Sequence, residues 1–202
     1  MVVVDEEVHI SAARNPGGDR SRQEEKAGRP GVTLKNNKRV GKIVAVCRSD
    51  KGGVPKHPQK EIEVYLDGVM GDYHSGSIDK HRKSGEPKPN DRAISIVAKE
   101  VTDSVGETLQ VELAPGSLGE NFLVEGLGDL SDLAPGDLIK LGPTVSVVVT
   151  AQNAPCSTLT VHHSGIVKHL AGKRGIVGRV LYVGFAKPGD RVEVVKKAVA
   201  AQ

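Results

Sequence analysis

The chain has 202 residues, of which 38% are apolar and only 2% aromatic, so Val, Ile, Leu and Ala must fill its core. No apolar run approaches the ~18 residues that cross a bilayer, and Met1-Val2-Val3-Val4-Asp5 is too short and too soon charged for a secretory signal. The net charge of +3 resides in residues 1–42, with nine Lys/Arg against six Asp/Glu, while residues 43–202 carry nineteen of each. A neutral body argues against a nucleic-acid-binding face, and the shortage of aromatics argues against base stacking.

Residues 1–37 read as a poorly ordered basic tail, because Asn15 to Lys26 has breakers and charge but no apolar periodicity. From Val40 the pattern turns to short strands. Val40–Arg48 is apolar and β-branched; Glu61–Leu66 alternates, placing Ile62, Val64 and Leu66 on one face. Lys80, Arg82, Lys83, Lys88 and Arg92 then form a basic island, of which all but Arg92 read as a solvated loop. Ala93–Val97 is a further strand, and the spacing of Val97, Val101, Val105 and Leu109 predicts a helix over 98–113, weakened by Gly106. Strands follow at Glu120–Glu125, Asp137–Leu141, Thr144–Ala151, Gly178–Gly184 and Arg191–Val195.

Pro135-Gly136-Asp137 and Pro188-Gly189-Asp190 each precede an alternating run, and Pro followed by Gly suits the centre of a type II turn. About eight short strands, one clear helix, a short one possible after Pro155 and 24 glycines predict a mainly β fold, a closed or nearly closed barrel spanning 38–197. Strands and helices do not alternate, so a doubly wound sheet is excluded.

Two cysteines stand far apart without metal-type spacing, which fits a reducing, cytoplasmic setting. Cys47 lies inside an apolar strand and reads as core. Cys156 follows a strand and Pro155, where backbone N–H groups of a short helix lower a thiol pKa. The same position also suits a buried small hydrophobe, and both readings stand at this point. Arg92 has the planar fork that grips phosphate oxygens, or else it pairs with a carboxylate at the strand's start. Gly116 to Asn121 reads as a tight turn that also offers polar groups to a ligand, with Asn121 foremost; it is not a P-loop. Adjacent His162 and His163 point apart on any regular element, so a zinc site is not expected; these two, His81 and His169 read as surface residues.

Gly71-Asp72, Asp91-Arg92-Ala93-Ile94, Pro115-Gly116-Ser117-Leu118-Gly119-Glu120-Asn121-Phe122, Gly136-Asp137, Pro155-Cys156 and Arg174 to Val180 recur in an order and spacing that resemble the MOSC family. This family includes the C-terminal domain of molybdenum cofactor sulfurases. The resemblance implies the barrel, and it implies the molybdenum cofactor (molybdopterin) as ligand. It implies Cys156 as the working thiol, catalytic or metal-ligating, with Arg92, Asn121, Asp72, His74 and Gly119 as cofactor-binding residues.

Two activities are implied. In one, Cys156 carries a persulfide from a pyridoxal-phosphate-dependent cysteine desulfurase to the molybdenum of a cofactor or molybdoenzyme. In the other, Cys156 ligates molybdenum in a reductase of N-hydroxylated bases or amidoximes. A non-catalytic cofactor-binding module is the further reading, and a structural or RNA-associated barrel ranks last. Residues 80–90 depart from the family pattern as a longer basic insertion, which bears on access to the site.

Overall fold

A computed structural model describes residues 38–80 and 86–196. The expected tail at 1–37, residues 81–85 of the insertion (His81, Arg82 and Lys83 among them) and residue 197 lie outside the described residues.

Eleven strands are present among the described residues: β1 (Arg39–Arg48), β2 (His57–Gln59), β3 (Ile62–Tyr65), β4 (Gly68–Val69), β5 (Ile94–Ala98), β6 (Phe122–Glu125), β7 (Leu138–Leu141), β8 (Val145–Gln152), β9 (Ile176–Tyr182), β10 (Gly184–Ala186) and β11 (Arg191–Val195). Seven of them close into a barrel in the order β1-β6-β5-β9-β8-β7-β11, with β11 pairing back onto β1. Closure leaves the barrel strands without an open edge. All neighbours are antiparallel except β5 and β6, whose parallel pairing is connected through helix α1 (Lys99–Leu109).

Strand β1 makes closure possible. Its first half pairs with β11 from Arg39 to Lys42, and its last three residues pair with β2. Its other edge holds β6, with a register shift between Ile43 and Ala45. Two further shifts interrupt the β8–β9 ladder. Such bulges bend and twist a strand, which a small barrel requires. A separate three-stranded sheet, β10-β3-β4, completes the β structure.

The core is aliphatic, as the composition demands. Ile43, Val46, Ile94, Ile96, Ile139, Leu141 and Val147 are sealed from solvent, and Phe122 is the one aromatic side chain among the buried core residues. Each fully buried side chain of this size contributes about 1.5–3 kcal/mol. Both Pro-Gly turns carry their glycine at positive φ, 97° at Gly136 and 89° at Gly189, as a type II turn needs.

Three expectations need adjustment. Leu66 is 66% exposed, because β3 ends at Tyr65 and Leu66 lies in the turn beyond the pleat. Helix α1 stops at Leu109 rather than 113, since Gln110 takes a left-handed conformation (φ 54°) and Val111 N–H donates to the Gly106 carbonyl. Strands β2, β4 and β10 were not expected; at two or three residues each, they are too short to show periodicity. A 3-10 turn at Ser157–Val161 and a one-turn helix α2 (Ile166–His169) follow Cys156.

Candidate functional site

Cys156 sits where the chain leaves β8 and starts the 3-10 turn, in extended conformation (φ −122°, ψ 164°). Pro155 precedes it and keeps β8 from continuing. The side chain is exposed, so the buried-hydrophobe reading fails for Cys156. Partial burial pushes its pKa up, but the Thr158 hydroxyl at 2.7 Å and the positive charge of Arg174 outweigh that and hold it below the ordinary thiol value.

Cys156 lines a cavity of about 210 Å³ together with Lys56, His74, Arg92, Gly119, Asn121 and Arg174, among others. The cavity gathers residues from the segment after β8, the turn after β4, and the segments leading into β2, β5, β6 and β9. Three of the lining side chains are cationic, and no Asp or Glu lines the wall.

The guanidinium of Arg92 makes one hydrogen bond, Nη2 to Asn153 Oδ1 at 3.0 Å, and among the described residues it pairs with no carboxylate. A guanidinium carries five N–H donors, so most of this fork remains available. Arg174 is more firmly held. It donates to Ala154 O (2.8 Å) and Leu118 O (2.7 Å), and its Nη1 lies 3.8 Å from Cys156 Sγ. The Nε atoms of Arg92 and Arg174 are both buried without a hydrogen-bond partner. An unsatisfied buried donor costs about 1–3 kcal/mol.

Lys56 is the third cation, and its side chain is 3% exposed. Its ammonium lies 2.9 Å from Asp72 Oδ2 and 3.0 Å from Oδ1. Burial pulls the Lys56 pKa down, and Asp72 opposes that pull. Asp72 also accepts from the backbone N–H of Ser49 and His74 and from Asn121 Nδ2. Burial alone would raise its pKa, but bonds from His74 and the charge of Lys56 hold it well below the carboxylate range.

The expected cofactor-binding residues therefore divide by role. Arg92, His74 and Gly119 line the cavity. Asn121 lines it too, but its amide is committed to the protein: Oδ1 accepts from Ser95 N and Oγ, and Nδ2 donates to Cys47 O and Asp72. Asp72 is not among the lining residues; it stands behind Lys56 and ties Ser49, just past β1, the 70–75 turn and Asn121 together. Gly119 has φ +80°, and a Cβ there would meet Val54 Cγ1 at 3.1 Å and approach Arg174 Nη2, so the absence of a side chain keeps this wall open.

Sequence reasoning missed Lys56 and the distinct role of Arg174. Lys56 follows a Gly-Gly-Val-Pro loop with no periodic context, so nothing local signalled its burial. Arg174 belonged to the Arg174–Val180 motif, but its position beside the thiol appears only once the β8 exit and the segment before β9 are brought together.

The remaining candidates take structural places. Cys47 is fully buried, and burial pushes its thiol up to about 12. His162 Nε2 lies 2.8 Å from Ser117 O, and His163 and His169 each bond backbone atoms of Gly165. These three are half-buried anchors rather than plain surface residues. Among the described residues no cluster of three or more His, Cys, Asp or Glu is arranged to hold a metal ion. No helix among them is long and apolar enough to cross a membrane.

The chain is similar to known proteins in sequence and fold. The profile of the MOSC domain family matches residues 72–193. YuaD of Bacillus subtilis (strain 168), whose name assigns it provisionally to metal-sulfur cluster biosynthesis, is 30% identical over 148 residues, covering 63% of this chain and 76% of that protein. The crystal structure of Bacillus subtilis YuaD superposes with a TM-score of 0.71 at 25% identity, over 81% of this chain and 100% of that one. YiiM from Geobacillus stearothermophilus (24% identity, 77% of this chain and 75% of that one) and from Escherichia coli (22%, 79% and 72%) each give a TM-score of 0.57, a likeness of fold. The chain belongs to the MOSC domain family.

Proposed function

We propose that this protein carries sulfur as a persulfide on Cys156 and passes it to molybdenum presented at the cavity. The observation that carries the reading is an exposed thiol with a lowered pKa, held beside Arg174 at the edge of a cavity walled by cations. The name of the YuaD relative, which speaks of metal-sulfur chemistry, points the same way.

The chemistry follows from the thiolate. Cys156 attacks the outer sulfur of a donor persulfide, such as that of a cysteine desulfurase, a new S–S bond forms, and the donor leaves as its own thiolate. On delivery an acceptor supplies an electron pair to the outer sulfur, and the Cys156 thiolate departs with the pair of the broken bond. Arg174, at 3.8 Å, stabilises that thiolate in both steps. Exposure of Cys156 lets a protein donor reach it.

The residues present fit the molybdenum cofactor at one end. Lys56, Arg92 and Arg174 give a phosphate-bearing group a cationic wall, and the two buried, unpartnered Nε atoms mark a polar demand that the barrel itself does not meet. At about 210 Å³ the cavity is below the ~300 Å³ at which sites engulf a drug-sized ligand, so it holds part of such a molecule. The cofactor, when bound, supplies a metal with affinity for soft sulfur.

Incubation with a cysteine desulfurase and cysteine should add one cyanide-labile sulfur to the wild-type chain and none to Cys156→Ala. Reduction of an N-hydroxylated base by molybdenum-loaded protein, without any detectable persulfide, would replace this reading with Cys156 as a metal ligand in a reductase.

A further inference from the structure

We infer that the cavity accepts a small dianionic sulfur donor of the thiosulfate class, so that Cys156 is loaded directly by an inorganic anion as well as by a protein. The inference rests on the persulfide reading and names a substrate class for the same site. Its basis is the contrast between the cavity's charge and its size. Lys56, Arg92 and Arg174 line the wall and no carboxylate does. Of the nearby acids, Asp72 is paired with Lys56 and matches its charge, which leaves the two arginines in excess, and Glu120 accepts from the N–H groups of Gly116 and Leu118. A volume of about 210 Å³ suits an anion of a few heavy atoms.

A thiolate attacking a dianion must overcome like-charge repulsion, which is strong in a partly desolvated site. Arg92 and Arg174, which among the described residues form no ion pair with a carboxylate, offset it. Arg174 is 9% exposed and touches the sulfur, so it neutralises the nucleophile. Arg92, with one hydrogen bond to Asn153, keeps a planar fork for the oxygens of a sulfonate group. In the reaction the Cys156 thiolate attacks the outer sulfur of thiosulfate. The new Sγ–S bond forms, the S–S bond of thiosulfate breaks, and sulfite leaves with the electron pair. No separate oxidant or reductant is consumed. Cyanide then removes the outer sulfur as thiocyanate and restores the thiolate.

The test uses the full chain with thiosulfate in one arm and a persulfidated cysteine desulfurase in the other. Thiosulfate should add one sulfur to Cys156 with release of an equal amount of sulfite, and Cys156→Ala should gain none. Loading by the desulfurase alone would overturn this inference and leave the persulfide reading standing; loading by neither would overturn both. Arg92→Gln should raise the apparent KM for thiosulfate about tenfold, with partial recovery in Arg92→Lys. An equal rise for a neutral organic trisulfide would overturn the role given to Arg92, because the effect would then not concern the donor's charge.

Discussion

The two cysteines are the same side chain in two settings within one barrel. Cys47 lies in β1 with no exposed surface, and burial raises its pKa to about 12. Cys156 lies at the rim, exposed, with Thr158 and Arg174 lowering its pKa. Strand β1 is sealed by β6 on one edge and by β11 and β2 on the other, so a charge at Cys47 would have no solvent. Past β8 the chain leaves the ladder, and a thiol there meets water and a guanidinium instead. Exposure and acidity of the two thiols are thus set by where the barrel ends, not by the residue type.

The sharpest way to break this comparison is to remove each thiol in turn. Cys156→Ala should abolish sulfur loading while changing stability by no more than about 0.5 kcal/mol, as expected of an exposed site. Cys47→Ala should keep loading. Mass spectrometry after desulfurase treatment, beside urea unfolding, reads both. Loading that survives in Cys156→Ala would show that the exposed thiol is not the carrier.

The next effect concerns the support behind the rim. Asp72→Ala leaves the Lys56 ammonium buried without its partner and strips an acceptor from Ser49, His74 and Asn121. Breaking a buried pair in this way costs about 3–5 kcal/mol. Urea unfolding measures it, and a loss under 1 kcal/mol would mean that the network does not hold the cavity wall.

Sequence and structure agree best where the signal is periodic. Alternation in β7 and β11 and the four-residue spacing of Val101, Val105 and Leu109 are local consequences of burying one face, so the barrel and α1 were legible, although Val97, which continued the spacing, belongs to β5. Cys156 and Arg92 were legible as a resemblance of ordered motifs. What the sequence hid was non-local. Lys56 reaches Asp72 across sixteen residues, and Arg174 reaches Leu118 across fifty-six; neither pairing leaves a mark on neighbouring residues. Asn121 was picked out as a residue facing the pocket, yet its amide hydrogen bonds go to Ser95, Cys47 and Asp72. A motif names a residue without saying whether it serves the ligand or the wall.

The contrast between the thiols also predicts opposite pH dependences. The Cys47 pKa is raised from 9.0 to about 12 on folding. Between those values the unfolded chain releases a proton that the native state retains, so stability falls as pH rises, by at most about 1.4 kcal/mol per pH unit. The Cys156 pKa is lowered from 9.0, so its contribution has the other sign and grows as pH rises toward 9.0. Unfolding free energies from pH 7 to pH 11 for wild type and Cys47→Ala should diverge only above pH 9, with the variant declining less. Parallel curves would mean that the native state does not protect this thiol from ionisation.

The smallest effect tests what separates the two environments at the rim. Partial burial of Cys156 is outweighed first by the Thr158 hydroxyl and then by the Arg174 charge. Thr158→Val and Arg174→Gln should therefore each move the pH midpoint of Cys156 alkylation upward, toward the ordinary thiol value. Arg174→Gln also frees the carbonyls of Ala154 and Leu118, so its stability will fall whatever its electrostatic role. The direction of the midpoint distinguishes the two contributions: lost packing alone exposes the thiol, relieves the burial that raises its pKa and moves the midpoint down, whereas loss of the Arg174 charge moves it up. An unshifted midpoint in both variants would leave exposure as the only difference between the rim and the core.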